Sequence, residues 1–128
     1  MNFGPALAVG IGAALGAWLR WGFGSWFNAH FPTLPLGTLS ANLVGGYLVG
    51  LAVAFFSQHP GLSPELRLFV ITGFLGGLTT FSTFSAEAVS LLGRGEYGWA
   101  LAHISSHLAG SLLLTFLGMA TVKLVLRG

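Results

Sequence analysis

The sequence predicts an all-α membrane protein of four transmembrane helices, the third of them broken in mid-membrane. Three observations carry this reading. Charged residues are 6% of the 128 and hydrophobic ones 54%, against about 25% charged in an ordinary soluble domain, so lipid must be the solvent for most of the chain. Four apolar stretches are long enough to span a bilayer, which takes about 20 residues across roughly 30 Å of hydrocarbon. The third stretch gathers Gly73, Gly76, Gly77, Thr79 and Thr80 near its middle, all poor helix formers.

The first span covers residues 3–27 and the second 36–57, separated by NAHFPTLP, whose two prolines and polar residues mark a loop. The third, residues 64–92, follows the turn-like QHPGLSP. A short GRGEYG linker leads to the fourth, residues 97–122, which ends in a tail carrying Lys123 and Arg127. The whole, residues 1–128, reads as a single four-helix transmembrane domain. The opening MNFGPALAVGIG lacks the positive leader of a signal peptide and is read as the start of a retained first helix. Trp18, Trp21, Trp26 and Trp99 fall near predicted span ends, where indoles anchor at the interface.

Several function classes are set aside by composition. The net charge of +2 arises from five Lys or Arg against three acidic residues, with no basic cluster, so there is no footprint for nucleic acid. Cysteine is absent, which removes disulfides and thiolate metal sites. The basic residues are also balanced across the membrane: four spans put Arg67, Lys123 and Arg127 on one side and Arg20 and Arg94 on the other. With almost no positive-inside bias, the chain could insert both ways, and an antiparallel homodimer of oppositely inserted copies is physically possible.

The faces of the helices ask for partners. Ala8, Gly12, Gly16 and Arg20 fall four apart on the first span, a smooth face for close helix packing. Thr38, Asn42, Gly45, Gly46 and Gly50 lie along one side of the second. His103, His107, Ser111 and Thr115 repeat every four residues on the fourth, a polar stripe that belongs against a neighbouring helix or a water-containing path. Hydroxyls in such helices often bond the preceding turn. Asn42 has two donors and an acceptor to satisfy, so helix–helix bonding and ion contact are both open to it. His103 and His107, at i and i+4, are spaced to hold a metal, but their helix offers no cysteine or carboxylate to complete a set. Glu87 is the acid well inside a span, where an ionised carboxylate costs about 2.5–3.5 kcal/mol on insertion scales. It is expected near a vestibule or bonded by neighbours, and Arg20 either reaches the interface or lines a mouth.

The run GGLTTFSTFS, residues 76–85, concentrates hydrogen-bonding capacity where hydrocarbon is expected. A break there frees backbone groups, each costing several kcal/mol unless paired. Freed carbonyls suit a hard cation, and freed amides and hydroxyls suit an anion. Phe81 and Phe84 share a face at i, i+3, and their ring edges carry partial positive charge that an anion can approach.

GGLTTFSTFSAE, with the upstream GAWLRW and the second-span GTLSANLVGGYLVG, resembles the Fluc (CrcB) family of fluoride channels over nearly the whole chain. The resemblance implies a dual-topology antiparallel homodimer with two ion pathways, exporting toxic fluoride passively through the inner or plasma membrane of a microbe. It implies a central sodium ion held by main-chain carbonyls, which map to Gly76 and Thr79. The family's pore residues match Asn42, Phe81 and Phe84, with each pathway taking one ring from each subunit. Ser82 and Thr83 match its third-span hydroxyls, His107 and Ser111 its fourth-span polar track together with His103, and Arg20 and Glu87 its vestibule. The implied partners are fluoride, lipid and a second copy of the chain, with no nucleic acid and no enzymatic activity.

Three other readings are weighed against it. A small four-span multidrug exporter would carry a glutamate in its first span, and the first span here has no acid. A membrane metalloenzyme around His103 and His107 would lack a visible nucleophile or a base beyond Glu87. A purely structural assembly subunit would leave the residue 76–85 run without a purpose.

Overall fold

A computed structural model of the chain describes residues 2–30 and 34–127, so the middle of the first predicted loop, residues 31–33, lies outside the described part. It is all-helical. Helix α1 is Gly4–His30, α2 is Leu36–Gln58, α3 is Pro64–Arg67, α4 is Gly76–Leu78, α5 is Phe81–Gly93 and α6 is Tyr97–Arg127, with a π-helical segment at Leu68–Leu75 between α3 and α4. Among the described residues, four stretches are long and apolar enough to cross a membrane: Gly4–Asn28, Leu36–Gln58, Pro64–Gly93 and Tyr97–Leu126.

The third stretch begins where its sequence says a helix can. Ser63 is extended and its hydroxyl accepts from Leu66 N–H at 3.2 Å, while Pro64 takes the first helical position, where a missing N–H costs nothing. The helix then widens into the π-helical segment before tightening again at Gly76. Thr79 and Thr80 are extended, with ψ of 155° and 119°. The helix resumes at Phe81 because Thr80 caps it, its Oγ1 accepting from Thr83 N–H at 3.1 Å. The glycines that mark this region in the sequence are thus helical, and the extended residues are the two threonines that follow them. At the far end, Gly95 has a φ of 74° and turns the chain into α6, with Arg94 bridging Ser90 and Glu96.

The glycines serve close approach. A β-carbon at Gly16 would collide with the Phe74 carbonyl, one at Gly77 with the Ala13 carbonyl, and one at Gly73 would sit 2.8 Å from the Val9 carbonyl. Helix α1 therefore lies backbone-to-backbone on the π-helical segment and α4. A second seam joins α2 to α6, where Gly50 faces the Thr115 carbonyl and Gly118 the Tyr47 carbonyl. Thr115 Oγ1 donates to Gly46 O across it at 2.9 Å. Between the two seams sits a small apolar core of Ala41, Ala52, Phe56, Leu75 and Leu78.

Candidate functional site

The site is built where α2 meets the two extended threonines. One turn apart on α2, Asn42 and Gly45 receive them. Gly45 leaves room for the Thr79 methyl, which a β-carbon would strike. Asn42 takes Thr80 by both backbone groups: its Oδ1 accepts from Thr80 N–H at 2.8 Å and its Nδ2 donates to Thr80 O at 3.0 Å. These two bonds fix which end of the amide is which, since an N–H must meet the oxygen and a carbonyl must meet the nitrogen. The second amide hydrogen then donates to His107 Nδ1 at 3.0 Å. A neutral His107 therefore carries its proton on Nε2, a buried atom without a hydrogen-bond partner.

Interruption changes the bonding of the carbonyls before it. In an unbroken α-helix Gly76 O would accept from Thr80 N–H, and Thr79 O from Thr83 N–H. Those donors go instead to Asn42 Oδ1 and Thr80 Oγ1. Gly77 O accepts from Arg20 Nε at 3.1 Å, so the first-span arginine caps the end of α4. Thr79 spends its own hydroxyl on Leu75 O at 2.8 Å. Gly76 O and Thr79 O are neutral oxygens released from their helical donors, a donor type that fits a hard cation such as sodium.

Two cavities flank this arrangement. The first, about 470 Å³, is lined by Asn42, Phe81, Phe84, His107 and Ser111 together with apolar α2 and α6 residues. The Phe81 and Phe84 rings are 5.6 Å apart at 54°, and Phe84 lies 4.7 Å from the His107 ring. The second, about 350 Å³, is lined by Arg20, Asn28, Thr38, Thr83 and Glu87. The sequence-predicted residues therefore divide. Asn42, Phe81, Phe84, His107 and Ser111 share one cavity, and Arg20, Glu87 and Thr83 share the other. Ser82 is exposed, 3.3 Å from the Thr80 hydroxyl, and lines neither.

Glu87 is held by a residue to which the sequence assigned no role in the site. Thr38 Oγ1 donates to Glu87 Oε2 at 2.7 Å, across 49 positions of chain. The signal was the placement of Thr38 and Asn42 four apart on one α2 face, which lets α2 address α5 and the interruption together. His103, 1% exposed, donates from Nε2 to Phe84 O at 3.3 Å and lies 3.6 Å from Glu87 Oε1. Its ring stacks on Phe84 at 5.1 Å and 21°. Thr80 is the other residue the sequence undervalued, since it both caps α5 and accepts the Asn42 clamp.

Comparison with known proteins identifies the family of the chain. The chain matches the family described as CrcB-like protein, Camphor Resistance (CrcB), over residues 7–119. A protein of Cupriavidus pinatubonensis named fluoride-specific ion channel FluC is 66% identical over 119 residues, covering 93% of this chain and 94% of that one. Proteins of the same name from Nitrosospira multiformis and Nitrosomonas europaea are 66% and 61% identical over 116 and 118 residues. The former pair covers 91% of each chain, and the latter 92% of this chain and 93% of the relative.

Proposed function

The chain belongs to the CrcB-like family, and we propose that it is a fluoride-selective ion channel. It lets fluoride run down its gradient out of a microbial cytoplasm, across the inner or plasma membrane, and so relieves fluoride toxicity. The working unit is an antiparallel, dual-topology homodimer with two pores, each taking one ring of the Phe81 and Phe84 pair from each subunit. The balance of basic residues on the two sides of the membrane supports it, since neither insertion is favoured.

One observation carries the reading: Asn42, Phe81, Phe84, His107 and Ser111 converge on a single cavity beside the extended Thr79 and Thr80. Fluoride is small and strongly hydrated, so its pore must replace water with donors while binding weakly enough to release. Both Asn42 amide hydrogens are already engaged, so Asn42 sets the site by fixing Thr80 and the His107 tautomer. The Ser111 hydroxyl lines the cavity as a donor for the ion, and the Nε2–H of His107, buried and without a protein partner, is a second. The Phe81 and Phe84 edges supply weak positive potential without a formal charge that would trap it. Arg20, Thr83 and Glu87 form the vestibule, with the guanidinium drawing anions toward the entrance, and the exposed Ser82 hydroxyl is assigned to the path.

Gly76 O and Thr79 O, freed from their helical donors, would hold a structural sodium at the dimer centre. When bound, the ion supplies positive charge that ties the interrupted helices together and favours anions nearby. The test is fluoride-electrode recording of efflux from vesicles reconstituted with the purified protein. Fluoride should leave rapidly without a proton gradient and chloride should be retained. Equal efflux of both ions, or none of fluoride, would refute the assignment.

A further inference from the structure

The fourth-span histidines acquire a carboxylate from another helix. One nitrogen of each of His103 and His107 and one oxygen of Glu87 lie within 4.8 Å of one another. Among the described residues, the buried side-chain polar atoms without a hydrogen-bond partner are Glu87 Oε1, His103 Nδ1 and His107 Nε2, one from each member of this group. An unpaired polar atom on each member of one side-chain cluster, two of them on side chains at least nine-tenths buried, is what an empty ligand set leaves behind. We propose that Glu87, His103 and His107 form a binding site for a borderline divalent metal ion of the zinc class. The site shares His107 and Glu87 with the proposed channel, and its test reads metal binding alone, so either reading can fail without the other.

Two of the three ligands already have the outer partners that metal ligands use. A ligating histidine commonly donates its other N–H to a carbonyl, and a ligating carboxylate is itself hydrogen-bonded. His103 Nε2 donates to Phe84 O, which leaves the Nδ1 lone pair open. Glu87 Oε2 accepts from Thr38, which leaves Oε1 open. Two imidazoles and a carboxylate suit zinc, at about 2.0–2.2 Å from each donor, and leave a tetrahedral ion one further position for water or an anion. Such bonds place ligand atoms roughly 3.4 Å apart, so the three side chains must draw together by rotation on binding.

His107 makes the site conditional. Its Nδ1 accepts from Asn42, which places the proton on Nε2 and blocks that lone pair. To ligate through Nε2 the ring must move its proton to Nδ1 and give up the Asn42 bond. Metal binding and the Asn42–His107 contact therefore exclude one another. Removing the amide should favour the metal, unlike the removal of an ordinary supporting residue.

The test is calorimetric titration of tag-free wild-type protein with Zn²⁺, with the visible absorption of Co²⁺ as a second probe of coordination. One Zn²⁺ per chain and a four-coordinate Co²⁺ spectrum are expected. Zn²⁺ affinity should fall at least tenfold in His103→Gln and in Glu87→Gln. It should rise about fivefold in Asn42→Ala, the equivalent of one ordinary hydrogen bond. Absence of stoichiometric binding by the wild type, or undiminished binding in both ligand variants, overturns the site. Weaker binding in an Asn42→Ala protein that elutes as the wild type does overturns the exclusion between metal and amide.

Discussion

Asn42 holds Thr80 by both backbone groups, with bonds of 2.8 and 3.0 Å, and spends its remaining amide hydrogen on His107. A side chain on one span thus replaces the ladder that the next span loses. Asn42→Ala should remove two backbone anchors at about 1 kcal/mol each. Amide exchange at Thr80 should accelerate by roughly an order of magnitude or more, and fluoride efflux should nearly cease with the proposed dimer intact. Exchange at wild-type rates would show that the clamp does not hold the interruption.

Phe81 separates function from stability. Its side chain belongs to a residue that is 80% exposed in the chain, so Phe81→Ile should shift thermal stability by no more than about 0.5 kcal/mol. Fluoride efflux should nonetheless fall to near background if Phe81 presents its ring edge to the ion as proposed. Wild-type flux in the variant would remove Phe81 from the path.

Gly16 tests the seam between α1 and the third span. A methyl there meets the Phe74 carbonyl, and overpacking should destabilise Gly16→Ala by about 1–3 kcal/mol. Gly10→Ala is the control: nothing lies within 4 Å of its added carbon, and helix propensity favours alanine by up to about 1 kcal/mol. Thermal unfolding in one detergent should order them Gly10→Ala, wild type, Gly16→Ala. Equal stability of the two variants would show that the seam tolerates separation.

Arg20 combines a cap and a charge. Arg20→Gln should slow fluoride efflux about two- to tenfold at low salt through loss of attraction at the mouth. The deficit should shrink as ionic strength rises, because the screening length falls from about 30 Å at 0.01 M to about 10 Å at 0.1 M. Arg20→Lys should restore the salt-dependent part. It should leave a salt-independent part that reflects the lost bond to Gly77 O. A deficit unaffected by salt in both variants would assign Arg20 to capping alone.

The four apolar helices were legible because hydropathy and length alone specify them. The small-residue face of α1 was legible too, since Gly12 and Gly16 lie one turn apart and meet backbone. What the glycines of the third span do was less so. Weak propensity at Gly76 and Gly77 suggested that the helix fails there, yet both are helical and Gly77 serves contact with Ala13. Tertiary partners decide the outcome: Asn42 accepts the Thr80 N–H that a helix would have used. The carboxylate beside His103 and His107 could not be read from their own helix, because Glu87 arrives from α5 and is oriented by Thr38 of α2. Periodicity reports faces within an element, and it carries no information on which faces meet. Nor did any residue type announce the π-helical segment.

That segment, Leu68–Leu75, has a consequence for how the chain tolerates changes of length. Each π turn closes its hydrogen bond one residue later than an α turn, so the segment carries spare chain for the angle it sweeps. A one-residue deletion there can be absorbed by tightening to α geometry, leaving Phe81 and Phe84 close to their present azimuth. The same deletion within α5 would turn every later side chain by about 100°. The third span thus keeps slack on one side of its threonines and none on the other.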